Sequence, residues 1–450
     1  MTATNIIAGA SSYDQVPYQD SPERITHPNH VETVATLFGM SPPNVTRCSV
    51  LELGCAAGSN LIAQAYDLPE SKFLGLDFSE VQIAAGQKMI EALGLKNIEL
   101  RHTDIKDVDP TLGQFDYITS HGVYSWTPPE IQNRVLEISK TNLAPNGVAF
   151  ISYNVYPGWH FRASVREMML YHVSHIKDPQ EQIEQARAFL EFLAASAEED
   201  AVRAKLLTDE VEAVRKSSDA YLFHEHLEAD NRPIYFHEFA ARAKVKGLQY
   251  LGESDFRSMF ARSLPPNARE TLDAMDNLPL VRREQYMDFV RNREFRATLL
   301  CHDGTPLNWG LELSILEKFH LATTAAFKRT FDINSNEEVT ISIGIGELRT
   351  AHPLIKAAIA HLNDTWPSAV SLQDLHAAAV DRLHDRQGIN EENLGHDFLG
   401  RWILSAVVGG TVEVSVHPPK SFATKLSRRP LASALAREQA ARGGRRYKLA

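Results

Sequence analysis

The stretch Ser49-Val50-Leu51-Glu52-Leu53-Gly54-Cys55-Ala56-Ala57-Gly58 runs from a short apolar segment into a loop of small residues, and a helical stretch from Asn60 to Tyr66 follows. A buried strand, a tight turn and a helix in direct succession make the first unit of a parallel α/β sheet. Downstream the pattern repeats. Lys72-Phe73-Leu74-Gly75-Leu76 ends at Asp77, and Ser79 offers an N-cap to a helix reaching about Leu93. Ile98 to Arg101 is a third strand with Asp104 just beyond it. Phe115 to Thr119 is a fourth, leading into Ser120-His121-Gly122, and Val148 to Tyr153 is a fifth after the turn Pro145-Asn146-Gly147.

Between Asp178 and about Asp230 the chain is charged and helix-rich. A helix from Tyr235 to Lys246 and two further strand candidates, Leu248 to Glu253 and Phe295 to Cys301, come after it. Those runs supply strands six and seven of the same sheet, which makes the helical stretch an insertion; the alternative is that they begin a separate domain. Pro353 to Leu362, Leu372 to Leu383 and Leu394 to Val408 read as three helices, and Thr411 to Val416 alternates as a strand, a winged-helix-like order. The expected layout is an N-terminal arm over 1–45 and a catalytic domain over 46–302 with the insertion at about 178–230. A connecting segment over 303–350, a winged-helix-like module over 351–420 and a basic tail over 421–450 complete it.

The chain has 450 residues, 44% hydrophobic and 23% charged, enough for a real core and unlike a disordered or fibrous protein. Its three cysteines, Cys48, Cys55 and Cys301, form no CxxC pattern, so a disulfide framework and a cysteine zinc site are both unsupported. No basic, apolar leader opens the sequence, and no run approaches the roughly 18 apolar residues of a membrane helix, so a cytoplasmic location is expected. The net charge of −11 argues against a broad nucleic-acid-binding face. Beyond Pro419, however, nine Lys and Arg residues face only Glu438, and such a run is expected to be solvated.

The chemistry concentrates at the ends of the strands. Gly54, Ala56 and Gly58 let a ligand approach the backbone, and Asp77 stands where a carboxylate accepts both hydroxyls of a ribose. No GxxxxGK[ST] pattern occurs, the third glycine of a GxGxxG is missing, and Glu52 repels a phosphate. A cationic nucleoside, S-adenosylmethionine, fits better. Glu52 then organises the loop around the amino-acid portion, and Asp104 suits the adenine amino group. Cys55, Phe78 and Ile105 adjoin these positions and complete the cofactor set.

Here the sequence resembles the class I S-adenosylmethionine-dependent methyltransferases: Val50 to Gly58 matches their first motif, Asp77 their second and Asp104 their third, over about residues 47 to 160. Ala56 departs from the glycine of many members. The resemblance implies a doubly wound, seven-stranded Rossmann-like sheet. A narrower similarity, to bacterial methyltransferases with a methyltransferase regulatory domain, rests on Tyr13 to Tyr18, Thr26-His27-Pro28, Asn231 to Phe239, Pro418-Pro419 and Arg429 to Ala432. Some members of that family are protein lysine methyltransferases, which makes a lysine acceptor an expectation here.

Methyl transfer is an in-line displacement that needs an aligned nucleophile and the loss of one proton. His121, leaving the carboxyl edge after strand four, is the candidate base and also adjoins the cofactor. Tyr124, Trp126, Asn154, Tyr156 and Trp159 are candidate acceptor-binding walls, the aromatic ones able to hold an ammonium by cation–π attraction. Tyr13 and Tyr18 read as a lid, with Tyr13 against the acceptor and Tyr18 at the reacting centre. Each of these residues has a plain structural reading as well, a hydrogen-bonded histidine or ordinary packing. His224, Glu225, His226 and His237 do not make a metal pattern, since 224 and 226 point to different sides of a helix. A small-molecule acceptor and a non-catalytic cofactor sensor are the competing functions. A homodimer contact through the insertion is a further expectation.

Overall fold

The computed structural model describes residues 12–18, 21–197, 201–275, 277–324, 326–327, 331–343, 346–383, 394–418, 427–428 and 430–441. Seven strands form the central sheet: β1 (Ser49–Leu53), β2 (Lys72–Asp77), β3 (Ile98–His102), β4 (Phe115–Ser120), β5 (Leu143–Asn154), β6 (Leu248–Glu253) and β7 (Phe295–His302). Their order is β3-β2-β1-β4-β5-β7-β6. The first five pair in parallel, and β7 lies antiparallel between β5 and β6. Strands six and seven thus belong to the same sheet, as the sequence led us to expect. One local difference is that β5 starts at Leu143: Pro145-Asn146-Gly147 lies within it as a bulge, with Leu143 opposite Phe115 and Val148 opposite Tyr117.

Successive residues alternate between two cores because a strand's side chains point to opposite faces. Val50, Phe73, Tyr117, Val148, Phe150 and Leu299 enter one. Leu51, Leu53, Leu74, Ile118, Ala149, Ile151 and Leu300 enter the other. The short helix α1 (Ser12–Gln15) precedes α2 (Pro28–Leu37), whose Val31, Val34 and Ala35 join the first core. Helices α3 (Ser59–Asp67) and α4 (Glu80–Leu93) connect β1, β2 and β3, and α5 (Pro129–Thr141) covers the second core with Val135, Leu136 and Ile138.

The helical insertion starts earlier than its charge suggested. α6 (Trp159–Val173), α7 (Pro179–Ala195), α8 (Ala201–Lys216) and α9 (Asp219–Leu222) are followed by a π-helical turn, Phe223–Leu227. They share a core of their own, including Val165, Met169, Ile183, Leu190, Leu207 and Leu222. α6 is less charged than the stretch after Asp178, so composition alone hid it. Helix α10 (Phe236–Val245) leads back to the sheet, and α11 (Pro266–Asp273) and α12 (Leu280–Arg291) lie between β6 and β7.

The C-terminal part takes a strand from the segment expected to be a mere connector. β8 (His320–Ala322) precedes a second three-stranded sheet, β9 (Ala326–Phe327), β10 (Val339–Ile343) and β11 (Gly346–Thr350). Beyond α13 (Pro353–Thr365), β12 (Val370–Ser371), α14 (Leu372–Asp381), α15 (His396–Val408) and β13 (Glu413–Ser415), the outer strands β12 and β13 both pair with β8. The boundary expected at 350 therefore cuts through one sheet. Nor is the whole basic tail solvated: α16 (Ala434–Ala441) lies on α4, and its Leu435 is buried with Ile62, Ala63 and Met89. Residues 419–426, 429 and 442–450 of that tail lie outside the described residues. Among the described residues no helix is long and apolar enough to cross a membrane.

Candidate active site

The carboxyl ends of β1, β2, β4 and β5 meet at one edge, and the residues between Gly54 and Gly58 turn across it. Gly54 N and Cys55 N donate to Leu76 O at 2.8 and 3.1 Å, so the turn is tied to the end of β2. Gly54 and Gly58 have φ of +72° and +73°, and Ala56 adopts +50° despite its side chain. The glycines are required by the protein as much as by a ligand. A Cβ at Gly54 would stand 2.4 Å from Val123 Cγ2, and one at Gly58 would stand 2.8 Å from Leu100 Cδ1. Cys55 is buried, and its Sγ would lie 2.7 Å from a Cβ at Gly75, so its side chain packs beneath the turn.

Asp77 holds this loop in place. Its Oδ2 accepts Ala56 N at 2.8 Å and its Oδ1 accepts Ser79 N at 2.9 Å. Burial raises the carboxyl above the usual range, against the two amides that pull it down. Each carboxylate oxygen has two lone pairs, so one amide apiece leaves capacity for the two hydroxyls of a ribose. Phe78 beside it is 47% exposed, an apolar face for a flat base. Asp104 is more open. It caps a short helical turn and pairs with Lys106 Nζ at 2.8 Å, and hydrogen bonds to Lys106 hold its carboxyl low against a counteracting desolvation. Ile105, by contrast, turns into the core and is buried.

Glu52 is buried under the loop, where its Oε1 accepts Asn60 Nδ2 at 2.9 Å. Asn60 Oδ1 in turn accepts Glu23 N at 3.0 Å and Thr26 Oγ1 at 3.1 Å. The segment before α2 is thereby built into the site, a link that spacing along the chain cannot show. Ser120 Oγ at the end of β4 is another residue that sequence reasoning missed, buried with no hydrogen-bond partner.

His121 follows the end of β4 and lies edge-on to the rings of Phe150 and Phe295, at 5.8 and 6.2 Å. Its Nδ1 lies 3.0 Å from Ser152 Oγ, which also accepts Gly122 N at 2.8 Å. Burial pushes the imidazole pKa below its ordinary value, so the ring favours its neutral form. A neutral imidazole anchored through one nitrogen has the other available to take a proton.

The expected aromatic walls divide. Tyr124 is fully buried and packs on Tyr153 and Phe239, at 5.9 and 5.2 Å, so it is a core residue and not a wall. Trp159 is buried edge-on to Trp126 at 6.1 Å, and the chain's own Arg162 already lies over its ring at 5.6 Å. Trp126 stays half-buried. Tyr156 stacks on His160 at 4.2 Å. Asn154 is buried: its N donates to Ser125 Oγ at 2.8 Å, and its Nδ2 donates to Asn231 Oδ1 at 3.3 Å. Tyr13 packs edge-on to Phe78 at 5.8 Å and stacks on His224, with Tyr18 edge-on to the same histidine at 5.7 Å. Tyr18 thus has a place in the N-terminal strap beside His224. His226 is 3.5 Å from Glu210, away from His224's partners, and among the described residues no group of three or more His, Cys, Asp or Glu is placed to hold a metal.

A sheet of this order, with a small-residue turn after β1 and an acid at the end of β2, defines a class I S-adenosylmethionine-dependent methyltransferase. Residues 44–217 match the model of a methyltransferase domain, and residues 218–302 match that of a "predicted methyltransferase regulatory domain". The uncharacterised protein RP789 of Rickettsia prowazekii is 38% identical over 406 residues, 87% of this chain and 72% of that protein. The structure of PKMT2 from Rickettsia typhi superposes with a TM-score of 0.84 at 32% identity, covering 94% of this chain and 82% of that one. Its complex with AdoHcy superposes equally, at 33% identity. The chain belongs to the bacterial S-adenosylmethionine-dependent methyltransferases that carry a methyltransferase regulatory domain. Its cofactor is S-adenosylmethionine.

Proposed function

We propose that this methyltransferase modifies the side-chain amine of lysine in a protein acceptor. The observation that carries the proposal is the likeness to PKMT2 over 94% of the chain, which takes in the insertion and the C-terminal part as well as the cofactor sheet. Acceptor pockets are assembled from such added elements, so similarity there bears on the acceptor in a way that the sheet alone does not. The sequence resemblance to bacterial protein lysine methyltransferases points the same way.

Within this reading the 54–58 turn, Asp77, Phe78 and Asp104 hold the cofactor, and Glu52 acts from below by fixing Asn60. The bound cofactor supplies a methyl group on a cationic sulfur. A lysine ammonium has no lone pair to attack it with, so it must first give up a proton. His121 receives that proton, because its burial favours the neutral ring and Ser152 holds that ring in one orientation. Trp126 is the half-buried aromatic surface that lies against the acceptor's side chain.

The test is to incubate the full chain with methyl-deuterated S-adenosylmethionine and fractionated bacterial protein, then to map the label by mass spectrometry. Methylated lysine is the expected product. Label confined to small molecules, or to another residue type, would overturn the lysine acceptor while leaving the methyltransferase assignment untouched.

A further inference from the structure

The N-terminal segment 12–18 and the π-helical turn Phe223–Leu227 meet beside the end of β2, although 208 residues separate Val16 from His224. His224 is 4% exposed and occupied on three sides. Its Nε2 lies 2.6 Å from Val16 O, a carbonyl that can only accept, so this nitrogen carries hydrogen. Its Nδ1 lies 2.7 Å from Glu228 Oε1. Across its face the ring of Tyr13 stacks at 4.4 Å with 12° between the planes.

The other side of the segment reaches the cofactor edge. Tyr13 meets Phe78, and Asp14 Oδ1 accepts Ser79 Oγ at 2.6 Å. Ser79 is the residue whose amide binds Asp77. The four-residue helix α1 buries none of its own residues, so a segment this short takes its position from contacts such as these, with Val16 packing on the insertion's core as well. One anchor lies on the cofactor edge. The other, His224, lies in the part of the chain that matches the regulatory domain.

We propose that His224 is a positioning residue for cofactor binding: it holds Tyr13 and the strap of residues 12–18 against Phe78, so that the regulatory segment sets the cofactor affinity of the sheet. Linkage makes the coupling mutual, and an acceptor that shifts this segment also shifts cofactor affinity. The inference rests on the cofactor site and is independent of which acceptor is used.

Calorimetric titration of the full chain with S-adenosylhomocysteine tests it in the wild type, Tyr13→Ala, His224→Ala and the double variant. Each single change is expected to weaken binding roughly tenfold, and the double variant to be no weaker than either alone, because both cut one connection. His224→Gln, which can still donate to Val16 O, should recover part of the loss. Hydrogen exchange in the cofactor-free protein should quicken at 12–18 in His224→Ala and stay slow in β1 and β4. If His224→Ala does not fold, His224→Leu takes its place in the cycle, since it fills the same space but cannot donate to Val16 O. Unchanged affinity in Tyr13→Ala, or losses that add, would overturn the proposal.

Discussion

A carboxylate that accepts Ala56 N at 2.8 Å and Ser79 N at 2.9 Å cannot be replaced by its amide without consequence, because an amide has one accepting oxygen where the carboxylate has two. In Asp77→Asn one of the two backbone donors faces an NH2 group, and leaving a buried donor unmet costs about 1–3 kcal/mol. The loop loosens and the ribose loses an acceptor, so cofactor affinity should fall at least tenfold by calorimetry, with the far-ultraviolet circular dichroism unchanged. An unaltered affinity would remove Asp77 from the cofactor site. A different kind of carboxyl is Glu32, 4% exposed on α2, which burial raises to about 7. Its folded value lies above its unfolded one, so its stabilising contribution is complete below the unfolded value and is lost as pH rises through about 7. Glu32→Gln removes that dependence. Between pH 5.5 and 8 the stability difference between wild type and variant should move by roughly 1–2 kcal/mol in the variant's favour, read from urea denaturation at each pH. A difference that does not change with pH would show that Glu32 is not titrating in this window.

Elements add constraints that a single residue does not reveal. The turn from Gly54 to Gly58 was legible in the sequence because strand, small residues and helix are consecutive, and Asp77 was legible because it ends the next strand. The reason for the glycines was only half legible: Val123 and Leu100, which crowd positions 54 and 58, come from distant segments. Tyr124 failed as a pocket wall for the same reason, since Phe239, which covers it, arrives from α10. The largest surprise on a strand is Arg296 of β7, a charged residue only 1% exposed. Its guanidinium reaches Glu253 on β6 at 2.5 Å and Asp288 on α12 at 2.8 Å, contacts Glu284 at 3.2 Å, and lies over the Phe236 ring at 3.8 Å. Burial pushes Glu284 and Asp288 up, while Arg296 pulls them back. Arg296→Met leaves three buried carboxyls without that cation, and breaking a buried pair in this way costs roughly 3–5 kcal/mol. Chemical denaturation should show a loss of that order. A loss under about 1 kcal/mol would mean that Arg293, 3.2 Å from Asp288, or proton uptake by the carboxyls compensates and that Arg296 is dispensable.

At the scale of the molecule, the parts that look separable in the sequence share a core. Val34 from α2 and Phe38 just after it, Leu299 from β7, Leu316 and Leu321 before the C-terminal helices, and Leu354, Ile359 and Leu362 from α13 all belong to one continuous apolar cluster. β8 pairs with β12 and β13, so the C-terminal part cannot keep its sheet if the chain is cut after 350. Local periodicity changes from strand to helix at that point and so marks a boundary in the sequence, but periodicity carries no information about which distant surfaces touch. The insertion is different, since its cluster from Val165 to Leu227 is distinct from both sheet cores. These two arrangements predict different unfolding behaviour. Ile359→Ala removes a fully buried side chain from the shared cluster and should cost about 2–5 kcal/mol. Because that cluster includes the sheet, scanning calorimetry should show the main transition, the one in which the catalytic sheet melts, moving to lower temperature as a whole. Leu190→Ala, in the insertion's own core, should cost a similar amount but move the insertion's signal ahead of the main transition. If Ile359→Ala instead split off an early transition and left cofactor binding by the remaining sheet intact, the shared core would be two cores in contact and the C-terminal part an independent domain.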